Sequence, residues 1–161
     1  MEILKDEIKT APWFEKENHN VIAADNFNLI INDGRDYIKT TNKQYDIISF
    51  NAIHPKISPN LYTHEFYEMC RRILKPDGMI IAWLPPNAIS EEEFTGMIRT
   101  FNMVYENSSL WYVNPSHMLL MGSNQEFSIS YERLIERLSI PAVNADLAET
   151  NYDNVLEILT N

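Results

Sequence analysis

Two short apolar runs with a single amphipathic stretch between them constrain this chain more than any other feature. Tyr45–Phe50 (YDIISF) and residues 79–84 (MIIAWL) are rich in Ile and aromatics and bounded by polar, Gly or Pro residues. Such runs read as parallel strands covered on both faces. Between them, Phe66, Met69, Cys70, Ile73 and Leu74 recur at i, i+3, i+4, i+7 and i+8, the period of a helix with one buried face. Thr63 can cap that helix, and Glu65 suits its first turn. Arg71, Arg72 and Lys75 complement its carboxyl end, and Pro76 and Gly78 stop it. The expectation is a strand, helix, strand unit in a mostly parallel sheet, whose ligands bind beyond the carboxyl ends of the strands. Asp33, Asn51, His54 and residues 85–87 then share one edge.

The rest of the chain extends this pattern. Residues 1–4 read as the end of a strand that runs into a helix bearing Ile8, Ala11 and Phe14. Residues 27–32 read as a third parallel strand of the same sheet, closed by Asp33-Gly34, with a short helix over 35–40. Ser90 and Glu93 form a capping box for a helix with Phe94, Met97, Ile98 and Phe101 on one face. Residues 103–113 and 117–122 suit an antiparallel pair joined at Asn114-Pro115. Two tail helices carry Tyr131, Leu134, Ile135 and Leu138, then Val155, Leu156, Ile158 and Leu159.

The order DGRDYI, YDIISFNAIHP, SPNLYTHEFY, LKPDGMIIAWLP resembles the spermidine synthase family of aminopropyltransferases and its S-adenosylmethionine-dependent relatives. The carboxyl-terminal LLMGS and PAVNADL look like bacterial spermidine-synthase-like proteins, including some fused to membrane segments. The resemblance implies an α/β, Rossmann-like methyltransferase fold with helices on both faces of the sheet. It also implies one partial, N-terminally truncated domain over residues 1–161. The donor it implies is S-adenosylmethionine or its decarboxylated form, and the acceptor a small amine or polyamine. By matched position, Glu2 would hold the ribose hydroxyls, Asp33 with Gly34 would read the adenine amino group, and residues 52–60 would close over the substrate.

Two departures from the family follow from the residues themselves. The four glycines stand at 34, 78, 96 and 122, so no G-x-G turn is present to approach the donor, and binding of the donor is expected to be weak or absent. Asn51 stands where the family has a proton-accepting aspartate, and His54 where it has a second acid. An amide has no basic lone pair near neutral pH, so Asn51 can orient a substrate but cannot take its proton. An imidazole titrates near pH 6.5, so His54 is the candidate base. The expected function is transfer of an aminopropyl or methyl group to an amine by the full-length protein, with this chain itself inactive. The alternatives are a non-catalytic binding or assembly module that keeps the fold, and a methyltransferase unrelated to polyamines.

Composition excludes more than it assigns. A chain of 161 residues with 45% hydrophobic content is large enough for one core. Its net charge of −10 disfavours nucleic acid and anionic membranes as partners and weakly favours cationic substrates. A single cysteine, Cys70, excludes an intramolecular disulfide and lies on the apolar helix face. His19, His64 and His117 show no metal-ligand spacing. No signal peptide or apolar run of spanning length is visible, so a cytoplasmic chain is expected. The resemblance implies a missing first strand that would lie beside Tyr45–Phe50, and a homo-oligomer is expected to cover the edge left open.

Overall fold

A computed structural model describes residues 1–51, 54–87 and 89–149. Its centre is a four-stranded mixed sheet of β1 (Tyr45–Phe50), β2 (Leu74–Leu84), β3 (Asn107–Asn114) and β4 (His117–Ser123), in the order β1, β2, β4, β3. β1 runs parallel to β2, with Ile48 opposite Ile80 and Phe50 opposite Ala82. β4 runs antiparallel to both β2 and β3, pairing Ala82 with Leu120 and Leu120 with Leu110. The helices are α1 (Gly34–Thr40), α2 (His64–Ile73), α3 (Glu91–Asn102), α4 (Tyr131–Leu138) and α5 (Pro141–Ala148). The expected helix over residues 155–159 lies outside the described residues.

Directly opposed residues share a face of the sheet, so the pairing defines where the core sits. One face carries Ile48, Phe50, Ile80, Ala82, Leu84 and Leu120, and α1, α2 and α3 contribute Ile38, Phe66, Tyr67, Cys70, Ile73 and Phe101 to the same apolar cluster. Phe66 and Tyr62 meet Phe50 edge-on, at ring separations of 5.3 and 5.8 Å. A Cβ on Gly122 would lie 2.8 Å from the rings of both Phe101 and Tyr105, so only glycine lets α3 and the turn after it settle on β4. The hydroxyl of Tyr67, inside this cluster, has no partner among the described residues. The opposite face, bearing Ile81, Trp83, Leu119 and Met121, is only half-buried, and Ile47 there is 61% exposed.

Local chemistry accounts for the helix boundaries. Thr63 Oγ1 accepts the N–H of Phe66 at 3.3 Å to start α2. Ser90 and Glu93 complete both halves of the capping box on α3. Leu74 departs from its expected place on the helix. It has turned to extended geometry (φ −77°, ψ 141°) and begins β2, which therefore contains the whole LKPDG segment. Lys75 precedes a proline and is pushed out of the helical region, so the helix ends ahead of it. Gly78 is required where the two strands meet, since a Cβ there would lie 2.9 Å from the carbonyl oxygen of Tyr45.

The amino-terminal third corrects two expectations. Residues 27–32 are not a strand of the sheet; Ile31 makes only an isolated parallel bridge with Glu2. Glu2 N–H donates to Ile30 at 3.0 Å, and Asn32 N–H to Glu2 at 3.1 Å. The helix expected over Ile8, Ala11 and Phe14 is a 3-10 segment, Glu7–Phe14, with Pro12 inside it. The physical reason is shared. No residue before Ile38 is buried, so these apolar side chains lack the packing that would reward regular structure. The outer edge of β1 is left without a paired strand among the described residues.

Candidate functional site

The edge of β1 and the Glu2–Ile31 bridge face one another across a cleft of about 470 Å³, walled by Met1, Gly34, Tyr45, Ile48, Phe50 and Asn51. Parallel strands aim their carboxyl ends at one rim of such a cleft, which is where Asn51 emerges. Asn51 is exposed there, immediately after β1.

Asp33 caps α1, its Oδ1 accepting the N–H groups of Arg35 at 2.8 Å and Asp36 at 3.1 Å. One oxygen therefore builds the helix, and Oδ2 remains to accept a further donor. Gly34, the next residue, lines the cleft, and a Cβ there would meet nothing within 4 Å. Its role is not one of forced close packing. Glu2 turns its carboxylate back on its own backbone, Oε1 accepting from Ile3 at 2.7 Å and Leu4 at 2.8 Å. The Leu4 N–H foremost, with Ile3 and the side chain of Glu7, holds that carboxyl below its ordinary range.

His54 is half-buried after β1. Its Nε2 lies 3.1 Å from the carbonyl oxygen of Asn87, and its Nδ1 is 3.3 Å from the N–H of Lys56. Asn87, at the turn after β2, also donates to Ser116 Oγ at 2.8 Å. The sequence placed Asn51, His54 and Asn87 on one edge, and the structure joins the last two directly. Asn51 makes no hydrogen bond of its own with either.

Three further contacts had no signal in spacing or motif. Tyr37 and Tyr45 share a 2.5 Å hydroxyl contact at the far end of the cleft. The shared hydrogen bond lowers the Tyr37 phenol and raises that of Tyr45. Arg35 reaches from α1 to the carbonyl of Asn60 and to Thr63 Oγ1, tying α1 to the start of α2. Tyr62 donates to the carbonyl of Trp83 at 3.0 Å, and burial pushes its phenol up to about 12. Long-range pairs like these depend on a fold that must be known first.

A second cleft, about 570 Å³, opens at the opposite end of β2 near Glu68, Arg71, Arg72 and Asn107. Its two arginines are already engaged. Arg71 donates to the Val104 carbonyl at 3.1 Å, and Arg72 to the Ile38 carbonyl at 2.7 Å. Among the described residues no group of three or more His, Cys, Asp or Glu could hold a metal ion. No helix there is long and apolar enough to cross a membrane.

Known proteins resemble this arrangement. Polyamine aminopropyltransferase of Klebsiella pneumoniae is 32% identical over 98 residues, covering 58% of this chain and 34% of that protein. The enzyme of the same name from Erwinia tasmaniensis is 41% identical over 69 residues, covering 40% of this chain and 24% of that protein. The chain thus spans about a third or less of the length of these relatives. Spermidine synthase from Thermotoga maritima superposes with a TM-score of 0.63 at 19% identity, over 78% of this chain and 45% of that one. Human methyltransferase-like protein 13, solved with SAH, gives 0.68 at 18% identity over 91% of this chain and 68% of that one. These two structures establish the Rossmann-like methyltransferase fold. The family model described as the spermine/spermidine synthase domain matches residues 8–121, well over half of the sequence, and the chain belongs to that family.

Proposed function

We propose that this chain contributes to a group-transfer site in which an amine attacks the carbon beside a sulfonium. The new C–N bond forms as the C–S bond breaks. The bonding pair leaves on sulfur as a neutral thioether, and the amine loses one proton. Sulfur departs readily, so the protein has chiefly to align the partners and handle that proton. Asp33 is the adenine contact in this reading, Glu2 the ribose contact, and Asn51 the group that orients the acceptor. The donor class is S-adenosylmethionine or its decarboxylated form, and the group moved is aminopropyl or methyl. The observation that carries the reading is the cleft beside β1, with Asn51 on one wall and Met1 and Gly34, the neighbours of Glu2 and Asp33, on the other.

The same residues argue that this chain is catalytically weak by itself. Asn51 cannot accept a proton, and loss of a general base costs roughly 100- to 10,000-fold. A single charge-assisted hydrogen bond from Asp33 contributes about 1.5 to 3 kcal/mol, which corresponds to weak binding of a nucleoside. Calorimetry with S-adenosylmethionine and methylthioadenosine should therefore give millimolar affinity. Incubation with putrescine and decarboxylated S-adenosylmethionine should give no robust product. Micromolar binding, or efficient turnover, would overturn this account. Asn51→Asp in the full-length protein should raise turnover with an amine. The second reading, a binding or assembly module that keeps the fold, is favoured by the same Asn51 amide and gains if that substitution changes nothing.

A further inference from the structure

Among the described residues His54 makes four hydrogen bonds. Lys56 N–H donates to its Nδ1 at 3.3 Å. Ile57 and Ser58 donate to its carbonyl oxygen at 2.7 and 3.2 Å. Its Nε2 lies 3.1 Å from the carbonyl oxygen of Asn87. A backbone N–H can only donate, so Nδ1 must be the accepting nitrogen. The ring hydrogen then sits on Nε2 and donates to Asn87. The bond from residue i+2 to the side chain of residue i is the one an asparagine or aspartate makes in an Asx turn. Imidazole performs that turn and also reaches farther, across to the segment after β2. Asn87 extends the connection by donating to Ser116 Oγ, and Ser116 N–H donates to Asn114 Oδ1 at 2.9 Å. Three connections at the carboxyl edge of the sheet are thereby fastened together.

We propose that His54 is a positioning residue that clamps the 54–58 turn to Asn87, and that it is not the base of the site. Both ring nitrogens are engaged by the backbone, so no lone pair is left for a substrate proton while the clamp is closed. The clamp itself follows from the four contacts; only the statement about the base rests on the function proposed above.

The two side-chain bonds can be separated by substitution. His54→Asn keeps an acceptor for the Lys56 N–H and is too short to reach Asn87. His54→Gln keeps a long donor and loses the i+2 geometry. In the 15N-labelled protein, imidazole nitrogen shifts should show His54 with its hydrogen on Nε2 and none on Nδ1. Amide hydrogen exchange at Lys56 should quicken about fivefold in His54→Ala and His54→Gln, the effect of one ordinary hydrogen bond. His54→Asn should restore it. A ring protonated on Nδ1, or averaging between tautomers, would overturn the clamp, as would equal exchange in the Asn and Gln variants. If the Ala variant fails to fold, the Asn and Gln contrast still decides. None of these readouts involves turnover or donor binding, so failure of the functional reading would leave them unchanged.

Discussion

The segment from α2 through β2 to β4 and the first 33 residues contain similar apolar side chains with opposite fates. Phe66, Tyr67, Cys70, Ile73, Ile80, Ala82, Leu84 and Leu120 are each 2% exposed or less, whereas Ile3, Leu4, Trp13 and Phe14 are 55% exposed or more. The difference is not hydrophobicity but the presence of a facing surface. α2 lies against strands within the described residues, and its capped ends leave few backbone groups unsatisfied. No residue among the first 33 is buried, so their burial contributes little at roughly 25 cal/mol per Å².

The largest test of this contrast is alkaline unfolding. Tyr67, Tyr105 and Tyr62 belong to the packed region, and burial above all raises their phenols, that of Tyr62 to about 12 and those of Tyr67 and Tyr105 further. The folded protein therefore keeps protons that the unfolded chain releases from about pH 10 upward, and stability falls as pH rises through that range. Each fully protected phenol contributes a slope of about 1.4 kcal/mol per pH unit, with solvent screening reducing the share of Tyr62. Urea midpoints measured between pH 8 and 12 should stay flat and then drop steeply; a flat profile throughout would mean that the core is open to water.

Truncation compares the two regions directly. Phe101→Ala removes a fully buried ring that packs 5.1 Å from Tyr67 and 5.0 Å from Tyr105, and should cost about 3 to 5 kcal/mol. Trp13→Ala, at a side chain 80% exposed, should change stability by less than about 0.5 kcal/mol. Comparable losses in denaturant titrations would show that the opening residues are packed after all.

The smallest effect concerns association. We propose that a second copy covers the unpaired edge of β1 and the exposed Ile47, most simply as a twofold dimer. Ile47→Lys should weaken that dimer about tenfold, close to 1.4 kcal/mol, as read by sedimentation across a range of concentrations. A wild-type chain that sediments as a monomer at high concentration would remove the proposal.

The packed region was also the legible one. Helical period, the Thr63 cap and the Ser90/Glu93 box identified α2 and α3, because each signal acts within a few residues. Residues 27–32 were misread, since a strand needs a neighbour and apolar content cannot tell whether one exists. The start of β2 was displaced because Lys75-Pro76 forces extended geometry earlier than Pro76 and Gly78 alone suggest. At the carboxyl edge, the nearness of His54 and Asn87 was legible from topology. The Tyr37–Tyr45 contact and the reach of Arg35 were not, since both link elements whose relative placement the sequence does not state.

Cys70 gives the contrast a clock. It is the single thiol of the chain, fully buried, and burial pushes its thiol up to about 12. The thiolate is the reactive form, so a thiol reagent can label this protein only when α2 lifts from the sheet. Fraying of the first 33 residues leaves that sulfur shielded. The labelling rate therefore times the opening of one region alone, with no residue replaced.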